Sequence, residues 1–255
     1  GVTFVTFSYG TAGRAQVSPD PAFIPQGQLV SNIVITALGL TNGSTTITPV
    51  ATGVNGTAST LNVYAPVLTI SAGASARLGT GQFENGWYVY TPQYTTLAIP
   101  LTYTSTNPSV VTVSPATGAI PGGSNYQYFT VSGISAGSAS VIISAAGWRP
   151  DTLLMTITSP RTTISASTSL VTTSPIASAT VYATDSLGSG HYRTSSLALT
   201  ISSSDTNVIK IIDRNPSIPA GQYYASGIRY QPGGLGGTAY IKVVAGGHAP
   251  DSILV

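Results

Sequence analysis

The sequence predicts an all-β protein built of tandem β-sandwiches. Three observations predict it: one stretch recurs three times, short alternating strands fill each copy, and helical periodicity is missing. The stretch 101–157 reads LTYTSTNPSVVTVSPATGAIPGGSNYQYFTVSGISAGSASVIISAAGWRPDTLLMTI, and 199–255 repeats its pattern. Val113 matches Ile211, 98 positions on, and Pro150-Asp151 matches Pro250-Asp251, 100 positions on. Residues 5–19 lie over 101–115 at a spacing of 96, and Ile24-Pro25 lies over Ile120-Pro121. A spacing of 96 to 100 suits an immunoglobulin-like sandwich, a fold of about 100 residues.

Copy one has expected strands at 5–7, 33–37 and 60–63. Copies two and three carry about thirty residues before the shared stretch, at 66–100 and 161–198, for which copy one has only residues 1–4. The predicted organisation is a partial immunoglobulin-like domain at 1–65 lacking its first two strands, then complete domains at 66–160 and 161–255. The partial copy would expose an apolar face and an unpaired edge. Upstream sequence or strands from another chain would complete it.

In copy two the pattern predicts strands at 67–71, 87–91, 99–105, 110–113, 126–131, 138–144 and 152–157. In copy three it predicts 162–165, 177–184, 197–203, 208–212, 224–230, 238–244 and 252–255. Seven short strands per copy, with Gly, Pro and Asn turns between them, is a sandwich pattern. The linkers, Ala65-Pro66 and Ser159-Pro160-Arg161, are short and stiffened by proline, which favours a semi-rigid rod.

Charged residues make up 6% of the chain, against roughly 25% in an average soluble domain. Apolar residues make up 42%, so the low charge is no sign of disorder. Ser, Thr, Gly and Ala take the places of charges, which tilts the reading to an extracellular or cell-surface location. A net charge of +2 is too small and scattered for nucleic acid. No apolar run is long enough for a membrane-spanning helix. With no cysteine there is no disulfide, thiolate metal site or cysteine nucleophile.

The stretches TSTNPSVVTVS (104–114) and VSGISAGSASVIISA (131–145), with SSSDTNVIKI and GGTAYIKVVA in copy three, resemble the bacterial immunoglobulin-like repeats, the Big-type domains. Copies one and three depart at the NPS turn, with Ala12-Gly13 and Thr206-Asn207. The resemblance implies stalks, spacers or adhesive modules of surface proteins, layers and fibres. The expected partners are proteins or further copies of the chain, with a glycan as the alternative.

Few residues suggest chemistry. Gly133-Ile134-Ser135-Ala136-Gly137 fits a nucleophile-elbow pattern, but strands on both sides point to a hairpin turn; copy one has Leu40-Thr41-Asn42-Gly43 there. His191 and His248 stand in polar turns and read as solvated loop residues. Asp151 and Asp251 share one repeat position; they read as turn residues, with an interdomain calcium ligand as the alternative. No catalytic residue, metal ligand or cofactor is expected. Asn42-Gly43-Ser44 and Asn55-Gly56-Thr57 match the glycosylation sequon and also the Asn-Gly turn.

The candidate contact residues are aromatic: Trp148, Tyr88, Tyr90 and Tyr94. Alternation puts Trp87 and Val89 on one face and Tyr88 and Tyr90 on the other, where large amphipathic rings could meet a sugar or a protein. Trp148 sits at a turn where the other copies have Val54 and His248.

Overall fold

A computed structural model describes residues 1–38 and 42–255. Among the described residues there are 26 strands and no helix, so the protein is all-β. Among these residues no helix is long and apolar enough to cross a membrane. The chain separates into two compact units: Gly1–Leu68 with Ala145–Pro150, and Thr69–Ser144 with Asp151–Val255.

The second unit holds two immunoglobulin-like sandwiches. In copy three, strands Ser217–Ile218, Leu197–Ser203, Tyr240–Ala245 and Asp251–Leu254 form one sheet. Strands Arg161–Ser165, Ala177–Thr184, Tyr224–Pro232 and Ile209–Ile211 form the other. Alternation decides what lies between them: Leu197, Leu199 and Ile201 are buried while Ala198, Thr200 and Ser202 face out. Val181, Ile218, Ile228, Ile241 and Val243 complete an apolar core. Fully burying an aliphatic side chain of this kind contributes about 1.5–3 kcal/mol.

Copy two repeats the plan with one addition. Strands Thr117–Ile120, Ile99–Ser105, Gly137–Ser144, Asp151–Thr158 and Ser75–Gly79 form a five-stranded sheet. The last of these runs parallel to its neighbour, Leu154 standing opposite Ser75 and Thr158 opposite Gly79. The facing layer is split: Tyr126–Tyr128, Tyr88–Tyr90 and Thr69–Ile70 form one sheet, and Val111–Ser114, Thr130–Gly133 and Gln82–Glu84 belong to another. The single strand expected at 126–131 is therefore two strands in two sheets. Buried Phe129 marks the break, its amide donating to the Trp87 carbonyl at 3.1 Å.

Asp151 and Asp251 have one structural role. Asp151 Oδ2 accepts from the Ile70 amide at 2.7 Å, and Asp251 Oδ2 accepts from the Ile164 amide at 2.9 Å. Each carboxylate ties the first strand of its copy to the start of the last. Thr57 stands at this position in copy one.

The first unit is a thinner sandwich. Strands Ala22–Ile24, Thr3–Tyr9, Gly43–Val50 and Ser59–Val63 form one sheet, faced among the described residues by two strands, Ala15–Ser18 and Val34–Ala37. Its fully buried apolar cluster is small: Ala15, Val17 and Ile47. Val5 and Ile24 are half-exposed, whereas their equivalents Leu101, Leu199, Ile120 and Ile218 are buried. A hollow of about 490 Å³ opens beside them, lined also by Leu29, Pro49 and Val54. Among the described residues Val34–Ala37 pairs only with Ala15–Ser18, and its Val34 and Ile35 are exposed. The matching strand of copy three, Tyr224–Pro232, is paired on both sides, by Ile209–Ile211 and Ala177–Thr184. Fewer facing strands thus leave part of the apolar face of copy one uncovered.

Candidate functional site

The tyrosine-rich strands of copy two make the most distinctive surface. The tripeptides Tyr88-Val89-Tyr90 and Tyr126-Gln127-Tyr128 each place two tyrosines on one face by strand alternation. Their antiparallel register sets Tyr88 opposite Tyr128 and Tyr90 opposite Tyr126, so four rings share that face. Val89, on the opposite face, is fully buried and anchors the strand. Tyr88 is the hub, its ring centroid 5.6–5.8 Å from those of Tyr90, Tyr126 and Tyr128. Tyr126 and Tyr128 are a further 5.5 Å edge-to-face pair. Such pairs hold rings in fixed orientations and add about 0.5–1.5 kcal/mol each.

Thr91 and Asn125 close the end of this sheet. The Thr91 amide donates to the Asn125 carbonyl at 2.8 Å, and Asn125 Nδ2 donates back to the Thr91 carbonyl at 3.3 Å. Asn125 and the four tyrosines line a hollow of about 300 Å³ with no charged residue in its wall. None of the four phenolic hydroxyls has a hydrogen-bond partner among the described residues.

The structure thus brings Tyr88 and Tyr90 together, and adds Tyr126, Asn125 and Tyr128. Tyr94 is highly exposed in a loop and is no part of the wall. Trp148 belongs to the first unit and is half-buried in its turn, its amide donating to the Ala145 carbonyl at 3.1 Å. Tyr126 and Tyr128 stand two apart in the sequence, as Tyr88 and Tyr90 do. Their place beside Tyr88 depends on strand register, which composition does not reveal.

The junction of copies two and three is the second feature. Strand Tyr192–Arg193 of copy three joins the copy-two sheet, pairing with Gln82–Glu84 so that Tyr192 stands opposite Phe83. Their rings stack at 5.5 Å. The Thr194 amide and hydroxyl both donate to the Gly81 carbonyl at 3.0 Å. Arg193, buried, donates from Nη1 to the Thr80 carbonyl at 3.2 Å, and His248 Nε2 lies 3.3 Å from the same nitrogen. Burial lowers the pKa of Arg193 and, as the main cause, that of His248. His191 Nδ1 lies 3.3 Å from Glu84 Oε2, and Nε2 lies 3.9 Å from Asp185 Oδ2. The hydrogen bond from His191 is the largest cause holding Glu84 below its ordinary value; the amides of Gly86 and Asn85 add to it, and burial opposes it.

Both histidines are therefore half-buried joint residues, which corrects the expectation of solvated loops. The reason is docking: Glu84 and His191 are 107 positions apart and meet only when two copies pack.

The segment 133–137 also differs from expectation. It links Thr130–Gly133 to Gly137–Ser144, which lie in different sheets, so it is an arch and not a hairpin turn. Ser135 Oγ donates to the Ser109 carbonyl at 2.6 Å and so faces a backbone acceptor. A Cβ on Gly133 would come within 2.7 Å of the Gly79 carbonyl oxygen, so the close approach of two backbones demands glycine there. Of the copy-one counterpart, Leu40 and Thr41 lie outside the described residues. Asn42 Oδ1 accepts from the Ala65 amide at 2.8 Å. Among the described residues no group of three or more His, Cys, Asp or Glu could hold a metal ion.

No protein-family model matches the chain, and no curated protein matches it. Solved structures do resemble it. Domains 5–6 of the S-layer protein SbsC are 17% identical over 74% of this chain and 97% of theirs, with a TM-score of 0.33. The D0–D1 domain of intimin is 12% identical over 73% of this chain and 96% of its own, with a TM-score of 0.30. The Yersinia pseudotuberculosis adhesin InvE is 12% identical over 74% of this chain and 58% of its own, with a TM-score of 0.32. At such identities and scores, what this chain does has to be read from its own residues.

Proposed function

We propose that the chain is a non-catalytic structural and interaction protein, a stalk or assembly subunit of a bacterial surface structure located outside the cell. Its three repeat copies, 1–65, 66–160 and 161–255, would be one partial and two complete domains. The supporting observation is the main-chain joint between copies two and three. A strand of one copy completes a sheet of the other, Phe83 and Tyr192 stack across it, and Arg193 is buried in it. A joint of backbone hydrogen bonds holds one orientation, as a spacer requires; a flexible linker would not. The low charge and abundant Ser and Thr suit an exposed rod without enzymatic groups.

The test uses the absence of native cysteine. Spin labels on Leu154→Cys in copy two and Tyr240→Cys in copy three, both exposed positions, report the distance between the sandwiches. A single narrow distance distribution is expected. A broad one, as two independently tumbling domains give, overturns the stalk reading.

A further inference from the structure

We infer that the tyrosine face of copy two is a binding site for a neutral pyranose saccharide. Four observations carry this. The wall is formed by the rings of Tyr88, Tyr90, Tyr126 and Tyr128, fixed at centroid distances of 5.5–5.8 Å. It holds no carboxylate, ammonium or guanidinium group. All four phenolic hydroxyls lack a partner among the described residues, and Asn125 uses its Nδ2 on Thr91, leaving Oδ1 as an acceptor. The hollow measures about 300 Å³.

These features select a ligand by elimination. A volume at the lower end of ligand pockets takes a small molecule or a short stretch of a polymer. A stable protein partner would need about 800 Å² from this side, far more than four rings present. An anion finds no cation in the wall. A quaternary ammonium ion wants rings facing a common centre. Here the rings pack edge-to-face on one another instead. A pyranose has apolar C–H faces for stacking on a phenol ring, and hydroxyls at its rim that can exchange hydrogen bonds with phenols and with an amide oxygen. Rigid tyrosines lose little conformational entropy on binding, so a face of this kind suits an adhesive contact.

The inference is independent of the stalk reading: the spin-label distance tests the joint, and sugar binding tests only this face. The probes are maltohexaose, cellohexaose and chitohexaose, titrated into the whole 255-residue protein by calorimetry and followed by saturation-transfer NMR. At least one is expected to bind, with saturation reaching its ring protons. Tyr128→Ala and Tyr88→Ala are expected to weaken it at least about tenfold, equivalent to 1.4 kcal/mol. Tyr128→Phe, which keeps the ring, should stay within about threefold, about 0.65 kcal/mol. Tyr94→Ala, outside the wall, should bind as the native protein does. Because Tyr88→Ala could disturb the sheet, the exposed edge residue Tyr128 carries the decision. The inference is overturned if no probe binds at about 10 mM, a limit near −2.7 kcal/mol. Binding that survives Tyr128→Ala overturns it too, as does choline or heparin binding this face in place of the sugars.

Discussion

Asp151 and Ile70 are 81 positions apart in the chain, yet a 2.7 Å hydrogen bond joins the carboxylate of one to the amide of the other. Asp251 and Ile164 repeat the bond in copy three. A hydrogen bond to a charged acceptor contributes about 1.5–3 kcal/mol. Asp151→Ala should lower unfolding stability by that amount in urea titration, and Asp151→Asn, which keeps an acceptor, by less. The same carboxylates were the calcium alternative. If the clamp is their whole role, a chelator leaves the melting temperature unchanged; a fall of many degrees would reveal a metal ion bound there.

Tyr103 offers a gain. Its hydroxyl is buried without a partner among the described residues, and burial pushes its pKa up to about 12. The equivalent positions hold Phe7 and Ile201, which carry no hydroxyl. Tyr103→Phe should therefore raise stability by about 1 kcal/mol, since an unsatisfied buried hydroxyl is removed with little change in shape. An unchanged or lowered denaturation midpoint would show that the hydroxyl has a partner in solution.

Glu84 makes the joint pH-sensitive. Its folded pKa is lowered from 4.5, first by the hydrogen bond from His191. A lowered carboxylate pKa favours folding when the group is ionised. Its contribution is complete above 4.5 and is lost as pH falls through the lowered value. Melting temperature measured downward from neutral pH should fall in that acid window, and Glu84→Gln should flatten this part of the curve. A variant curve parallel to the native one would count against the bond.

Copy one should be the adhesive liability of the chain. Val34 and Ile35 are exposed on a strand that, among the described residues, pairs on one side. Free edges of this kind favour association. Light scattering at rising concentration should show higher apparent mass, and Ile35→Lys should reduce it. If Ile35→Lys scatters as the native chain does, this edge does not drive association.

Much of the fold was legible because sandwich cores write themselves as alternation. Leu197, Leu199 and Ile201, each inward, announce their strand by spacing alone. Short pieces were not legible. Gln82–Glu84 spans three residues near Gly81 and Gly86, too few for a period, and takes its pairing from Thr130–Gly133 and from copy three. The arch at 133–137 has the glycines of a turn, and only the destination of Gly137–Ser144 separates the two. Tyr88 and Tyr90 could be paired from sequence because they are two apart. Tyr126 and Tyr128 join them through register, set by the closure between Thr91 and Asn125. His191 and Glu84 gave no signal at all, because packing of separate copies leaves no local pattern.

The borrowed strand at the joint also bears on how the protein can be divided. Gln82–Glu84 of copy two has Thr130–Gly133 on one side and Tyr192–Arg193 on the other. A cut at the Pro160 linker would strip away that second neighbour. It would leave a strand edge without its partner and a bare Phe83 ring on a fragment that sequence repetition suggests is whole. Main-chain pairing therefore runs across the repeat boundary. During synthesis Gln82–Glu84 cannot gain its second neighbour until residues 192–193 have left the ribosome.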